Sequence, residues 1–141
     1  MKSIILSFLL FVLLASTTFA APIIAIIVHP QSKLGNLTAA QILDIYTGRF
    51  VDLPNNQMPL PLDLPSSSPL REHFYLKLSG KSLAQVNAYW ARLLFSGQAT
   101  PPRMMPDSAA IIMMVSQNPN AIGFVDAAEI NSSVKVLFKL E

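Results

Sequence analysis

The residues with the clearest chemical potential form one short run, Leu62-Asp63-Leu64-Pro65-Ser66-Ser67-Ser68-Pro69-Leu70-Arg71. It sets three hydroxyls where a short apolar stretch gives way to a helical pattern, with an arginine in the first turn of that helix. The free N–H groups and positive dipole end of a helix start attract anions. Serine hydroxyls donate to oxyanion oxygens, and a guanidinium adds a bidentate fork. Together Ser66, Ser67, Ser68 and Arg71 could hold a phosphate-like tetrahedral anion. The same residues also read as an N-cap (Ser68), a polar turn and a surface ion-pair partner (Arg71).

Other chemistries find less support. The two histidines, His29 and His73, have no Gly-x-Ser-x-Gly element to work with, so no hydrolase triad is expected. Met104, Met105, Met113 and Met114 with the histidines could suggest copper handling. Met113 and Met114, however, fall in an apolar stripe with Ile111, Ile112 and Val115, which reads as core filling. There are no cysteines, which excludes disulfides, thiolate catalysis and cysteine-based metal sites. No cofactor and no metal are expected, and the chain reads as a non-enzyme.

Several elements must position the candidate residues. Ile23 to Val28 is a continuous, mostly β-branched run, the pattern of a strand buried on both faces in a parallel or mixed sheet. Thr38 is placed to cap a helix over AAQILDIYTG, with Gln41 completing a capping box and Gly48 a left-handed stop. Residues 51 to 61 carry three prolines and Asn55-Asn56, so they predict a connection with a turn near the asparagines. Leu60 to Leu64 predicts a short strand, with Pro61 favouring an edge or strand-start position.

Pro69 opens a second helix that stops at Gly80, and Ser82 opens a third that stops at Gly97. In the third, Val86, Tyr89 and Trp90 fit a buried face. The stretch QATPPRMMP predicts a loop, and Asp107 caps a fourth helix ending before Pro119. Ala121 to Val125 and Val134 to Phe138 close the chain as strands, the second alternating as an edge strand would. Gly123 marks a point where a side chain would collide, either with packing or with a ligand. Strands separated by helices predict an α/β domain with a small mixed sheet.

The first twenty residues read differently. Lys2 precedes an apolar run from Ile4 to Ala15, and Thr18 and Ala20 are the small residues before a cut at Ala21. The run of about twelve residues falls short of the ~20 that a membrane span needs. Residues 1–20 are therefore expected to be a removable signal peptide and 21–141 one domain, which does not span the membrane after cleavage. The chain has 10 Lys and Arg against 8 Asp and Glu. One of the ten is Lys2, so the remainder is nine against 8, close to neutral. That balance gives no electrostatic case for nucleic acid or an anionic membrane.

The runs QILDIYTGRF, PLDLPSSSPLREHF, AYWARLLFSG, PPR and NPNAIGFVD, in that order, resemble the phosphate ABC transporter substrate-binding proteins, more closely their short single-domain relatives. The resemblance covers nearly all of residues 21–141. It implies a type II periplasmic-binding-protein-like fold, as a single lobe or compact version, with about four helices around the sheet. It further implies an exported solute-binding protein for phosphate or a similar oxyanion, located in the periplasm and serving ABC-type uptake or sensing. Ser66, Ser67, Ser68 and Arg71 would be its ligand residues, with Asp63 accepting from a protonated oxyanion and Arg103 on a candidate lid over residues 98–106. Gly123 would be a point of close approach to the ligand. The implied partners are an ABC permease and a partner lobe or second copy, because one lobe alone leaves an anion half in water. The alternative is an envelope interaction or assembly protein that keeps the fold without binding a ligand.

Overall fold

In β1 (Ile24–Val28) every residue is fully buried, because five consecutive apolar side chains leave neither strand face for water. The computed structural model describes residues 18–49, 56 and 58–141. Most of the expected signal peptide and of the 51–61 connection lie outside the described residues. Asn56, within that connection, has φ +51, the left-handed conformation that asparagine tolerates in turns.

The described elements follow in the order β1, α1 (Ala39–Tyr46), β2 (Leu60–Asp63), α2 (Pro69–Ser79), α3 (Leu83–Ser96), β3 (Arg103–Met104), α4 (Ser108–Gln117), β4 (Ala121–Asp126) and β5 (Lys135–Leu140), with a short 3-10 turn at Ala127–Glu129. The strands form one sheet in the order β3-β2-β4-β1-β5. β2 runs parallel to β3 and β4, whereas β1 is antiparallel to both β4 and β5. The expected mixed α/β architecture with four helices is thus present.

Adjacent residues of β4 show how the sheet is covered, since successive side chains point to opposite faces. Gly123 faces α4, where a Cβ would meet Ile111 Cγ2 at 2.4 Å. Phe124 faces the other way and stacks on Phe74 of α2, ring centroids 3.9 Å apart, with Tyr46 of α1 set edge-on to both rings. The sheet therefore lies between α4 on one side and α1 with α2 on the other, and α3 packs against α2.

Local signals set the helix ends. Thr38 and Gln41 form the capping box that starts α1, at 2.9 and 3.2 Å. Ser68 caps α2 ahead of Pro69, and Gly80 ends it with φ +69. Ser82 and Gln85 form a second capping box at α3, and Asp107 accepts from the Ala110 amide at α4.

Pro61 is the second residue of β2, a strand inside the sheet, but at its own position the side facing β3 is open. It is tolerated because its ladder partner is β4, while β3 pairs only with the next two residues, Leu62 and Asp63. The stretch expected as a plain loop, 98–106, contributes β3, anchored by the Met105 amide donating to the Asp63 carbonyl at 2.8 Å. Met113, expected in the core, is 62% exposed.

The close approach of α4 to β4 generates a test. Gly123→Ala is expected to lower stability by about 1–3 kcal/mol through overpacking against Ile111. Urea unfolding followed by circular dichroism measures it, and unchanged stability would mean that α4 does not seat on Gly123.

Candidate functional site

The site is built where β2 ends and α2 begins. Asp63 is the last residue of β2, and a turn closed by the Ser68 amide on the Pro65 carbonyl (2.9 Å) leads directly into the helix. Arg71 and Tyr75 sit four residues apart on α2 and so share one face, the face turned toward Asp63. Both charged residues are taken out of water, with Asp63 4% and Arg71 5% exposed.

Their bonding is close to complete on the aspartate side. Arg71 Nε donates to Asp63 Oδ1 at 3.1 Å and the Tyr75 hydroxyl donates to Oδ2 at 2.7 Å. The Leu64 amide also donates to Oδ1, at 2.7 Å. The guanidinium lies over the Tyr75 ring, 5.2 Å from its centroid. Arg71 Nη1 donates to Ser66 Oγ at 3.3 Å and to Asn87 Oδ1 of α3 at 3.2 Å. No acceptor among the described residues takes the two hydrogens of Nη2. Behind the pair, the Tyr46 hydroxyl lies 3.0 Å from the Leu62 carbonyl and 3.3 Å from that of Ile122, tying α1 to β2 and β4.

Burial dominates the electrostatics. It pushes the Asp63 carboxyl above the usual aspartate range, against the opposing effects of the Arg71 charge, the Tyr75 hydroxyl and the Leu64 amide. Burial, reinforced by the Asp63 charge, also raises Tyr46 and Tyr75, so both phenols keep their protons.

The sequence candidates are distributed unevenly. Ser66 meets Arg71 directly, whereas Ser68 is used as the cap, its Oγ accepting from the Arg71 amide at 3.4 Å. Ser67 and Ser68 line a different depression, of about 420 Å³, whose other walls include Asp107 and Glu129. Those two carboxylates oppose an anion there. Arg103 is exposed on β3, in register with Leu62. Gly123 is buried beneath α4, where Ile111 fills the space beside it.

A second cavity, of about 380 Å³, opens over the ion pair itself and is lined by Asp63, Arg71, Asn87 and Trp90, with Leu94, Pro101 and Met104 among its apolar walls. Trp90 Nε1 is buried with no acceptor among the described residues. Such an orphan donor costs about 1–3 kcal/mol. Sequence reading overlooked Asn87 and Tyr75. Tyr75 was legible in principle from its i, i+4 spacing to Arg71, and Asn87 from sharing a helical face with Trp90, Ala91 and Leu94. Among the described residues no cluster of side chains could hold a metal ion, and no helix is long and apolar enough to cross a membrane.

The raised Asp63 pKa carries a pH dependence. The folded state binds this proton more tightly than the unfolded chain, so the linked stability is fully present below the unfolded value near 3.8 and is lost as pH rises through the folded value. Compared with Asp63→Asn, the wild-type protein should therefore lose stability as pH rises across that window and then level off. Urea midpoints of both proteins between pH 3.5 and pH 7, about the range over which a raised carboxyl titrates, give the result. A difference that stays flat, or grows in favour of the wild type with pH, would contradict the assignment.

Neither a comparison with protein-family models nor one with curated proteins finds a match. Solved structures do match. An ABC-type phosphate transport receptor from Vibrio cholerae superposes with a TM-score of 0.63 at 21% identity, over 82% of this chain and 46% of the receptor. A protein from Clostridium perfringens, described as a phosphate ABC transporter substrate-binding protein and solved with bound phosphate, gives 0.60 at 24%, over 82% and 45%. PstS from Borrelia burgdorferi gives 0.56 at 17%, over 82% and 47%. The chain spans about half the length of each of these proteins. Its mixed sheet and four helices therefore have the fold of phosphate-transport receptors, carried in a half-length unit.

Proposed function

We propose that the chain is an exported, non-enzymatic solute-binding module for phosphate or a similar oxyanion, working in the periplasm with ABC-type uptake or sensing. The supporting observation is Arg71. Its guanidinium is held by Asp63, Ser66 and Asn87, yet its Nη2 has no partner among the described residues, and Arg71 lines a cavity. A guanidinium fixed in this way can offer its Nη2 hydrogens to the oxygens of a tetrahedral anion without losing further side-chain freedom. Ser66 adds a hydroxyl beside it, while Asp63, its oxygens taken by Arg71, Tyr75 and the Leu64 amide, holds the guanidinium in place. The fold shared with phosphate-transport receptors points the same way. Export rests on Lys2, the apolar run after it and the small residues before Ala21. An ABC permease and a partner lobe or second copy are the partners this reading calls for.

One observation favours a second reading. Asp63 already neutralises Arg71, and an ion pair satisfied inside the protein has a purely structural use. On that reading the chain is an envelope interaction or assembly protein that retains the fold without binding a ligand.

Calorimetric titration with phosphate, sulfate and molybdate separates the two. The first reading expects at least one oxyanion to bind well below millimolar, and Arg71→Lys, which keeps the charge but loses the fork, to weaken it at least tenfold while unfolding stays cooperative. Binding no tighter than millimolar to all three would remove the first reading and leave the second.

A further inference from the structure

The cavity above the ion pair is larger and more apolar than a bare tetrahedral anion requires. Its volume is about 380 Å³, within the ~300–1,000 Å³ of small-molecule sites. A water takes ~30 Å³ of liquid volume, so an anion of four oxygens fills roughly a third of the space. The deepest of the lining residues with a free donor is Arg71, 5% exposed and with no acceptor for Nη2 among the described residues, and the exposed Asn87 stands beside it. Asn87 Oδ1 accepts from Arg71, which turns its Nδ2 donors away from the guanidinium. The upper walls are Leu94, Pro101, Pro102 and Met104, and Leu94 and Met104 are 54% and 60% exposed. Trp90 forms a further side.

A buried cationic donor with exposed apolar side chains around it describes an amphipathic ligand. The rigid prolines Pro101 and Pro102 hold that apolar wall at little cost in chain freedom. The 98–104 segment that carries it is fixed by β3 against β2, so the cavity needs no closing movement to exist.

We propose that this cavity, and not the serine-rich start of α2, is the ligand seat, and that it takes an organic oxyanion whose anionic head meets Arg71 and Asn87 and whose short apolar body lies against Leu94, Pro101 and Met104. The proposal rests on the reading of the chain as an oxyanion-binding module and narrows its ligand class. Asn87 acts as a specificity residue by donating to the head group. The apolar wall discriminates in favour of a carbon substituent over a fourth free oxygen.

The probes are inorganic phosphate and phenylphosphonate, titrated against the intact protein by calorimetry and by the emission of Trp90, the one tryptophan of the chain. Phenylphosphonate is expected to bind at least tenfold tighter than phosphate and to shift the Trp90 emission. Asn87→Ala should weaken both ligands, and Met104→Ser should narrow the ratio between them. Both substitutions are at exposed positions. Phosphate bound as tightly as phenylphosphonate, or tighter, overturns the inference and leaves the oxyanion reading standing. Binding of neither ligand overturns both. Tight phenylphosphonate binding that leaves Trp90 emission unchanged and is insensitive to Asn87→Ala places the ligand elsewhere and overturns the seat.

Discussion

A buried carboxylate facing a buried guanidinium is the constraint around which this domain is arranged. Removing both charges from water costs several kcal/mol per ion, and the attraction between them offsets that only if the remaining donors and acceptors are met. Asp63 is satisfied from three directions, by the side chain of Arg71, the hydroxyl of Tyr75 and the amide of Leu64. Each of these depends on a different feature of the chain. The Leu64 amide requires β2 to stop at Asp63, and the guanidinium and phenol require α2 to begin within one turn of it. Ser68 and Pro69 put the helix start there. The carbonyl of the same Asp63 takes the Met105 amide, so β3 is fastened to the residue that anchors the ion pair.

The aromatic layer under the pair carries the same logic into the core. Tyr46, Phe74, Tyr75 and Phe124 form a contiguous set of ring contacts, and two of them place hydroxyls on polar groups of β2. Edge-on and stacked rings add to the area they bury, and each buried hydroxyl has its acceptor. The face of α2 that packs on the sheet is therefore also the face that positions Arg71. Stability and the candidate site share these residues, and among the described residues Arg71 Nη2 has no acceptor.

Much of the local structure was legible because its causes are local. The Thr38–Gln41 box, the Ser68-Pro69 start of α2, the glycine stops at Gly80 and Gly97 and the buried run of β1 each follow from a few neighbouring residues. The direction of β1 was not legible, since a strand buried on both faces reads alike in either orientation. β3 was hidden in a proline-rich stretch and exists only because β2 offers it a partner. The ion pair itself joins residues eight apart across a turn, and its third arm, Asn87, comes from another helix. The three serines showed plainly in the sequence, but which cavity each faces depends on the path of the turn. That turn sends Ser66 toward Arg71 and Ser67 toward Asp107 and Glu129.

The central claim is that the fixed, half-used guanidinium of Arg71 is what the fold presents to an anion. A crystal structure of the protein grown with saturating phosphate tests it most directly. The account predicts the anion within hydrogen-bond distance of Arg71 Nη2, about 2.7–3.0 Å for a charge-assisted contact, with the Asp63 pairing intact behind it. An anion seated instead on Ser67 and Ser68 at the start of α2, with Arg71 untouched, would contradict it.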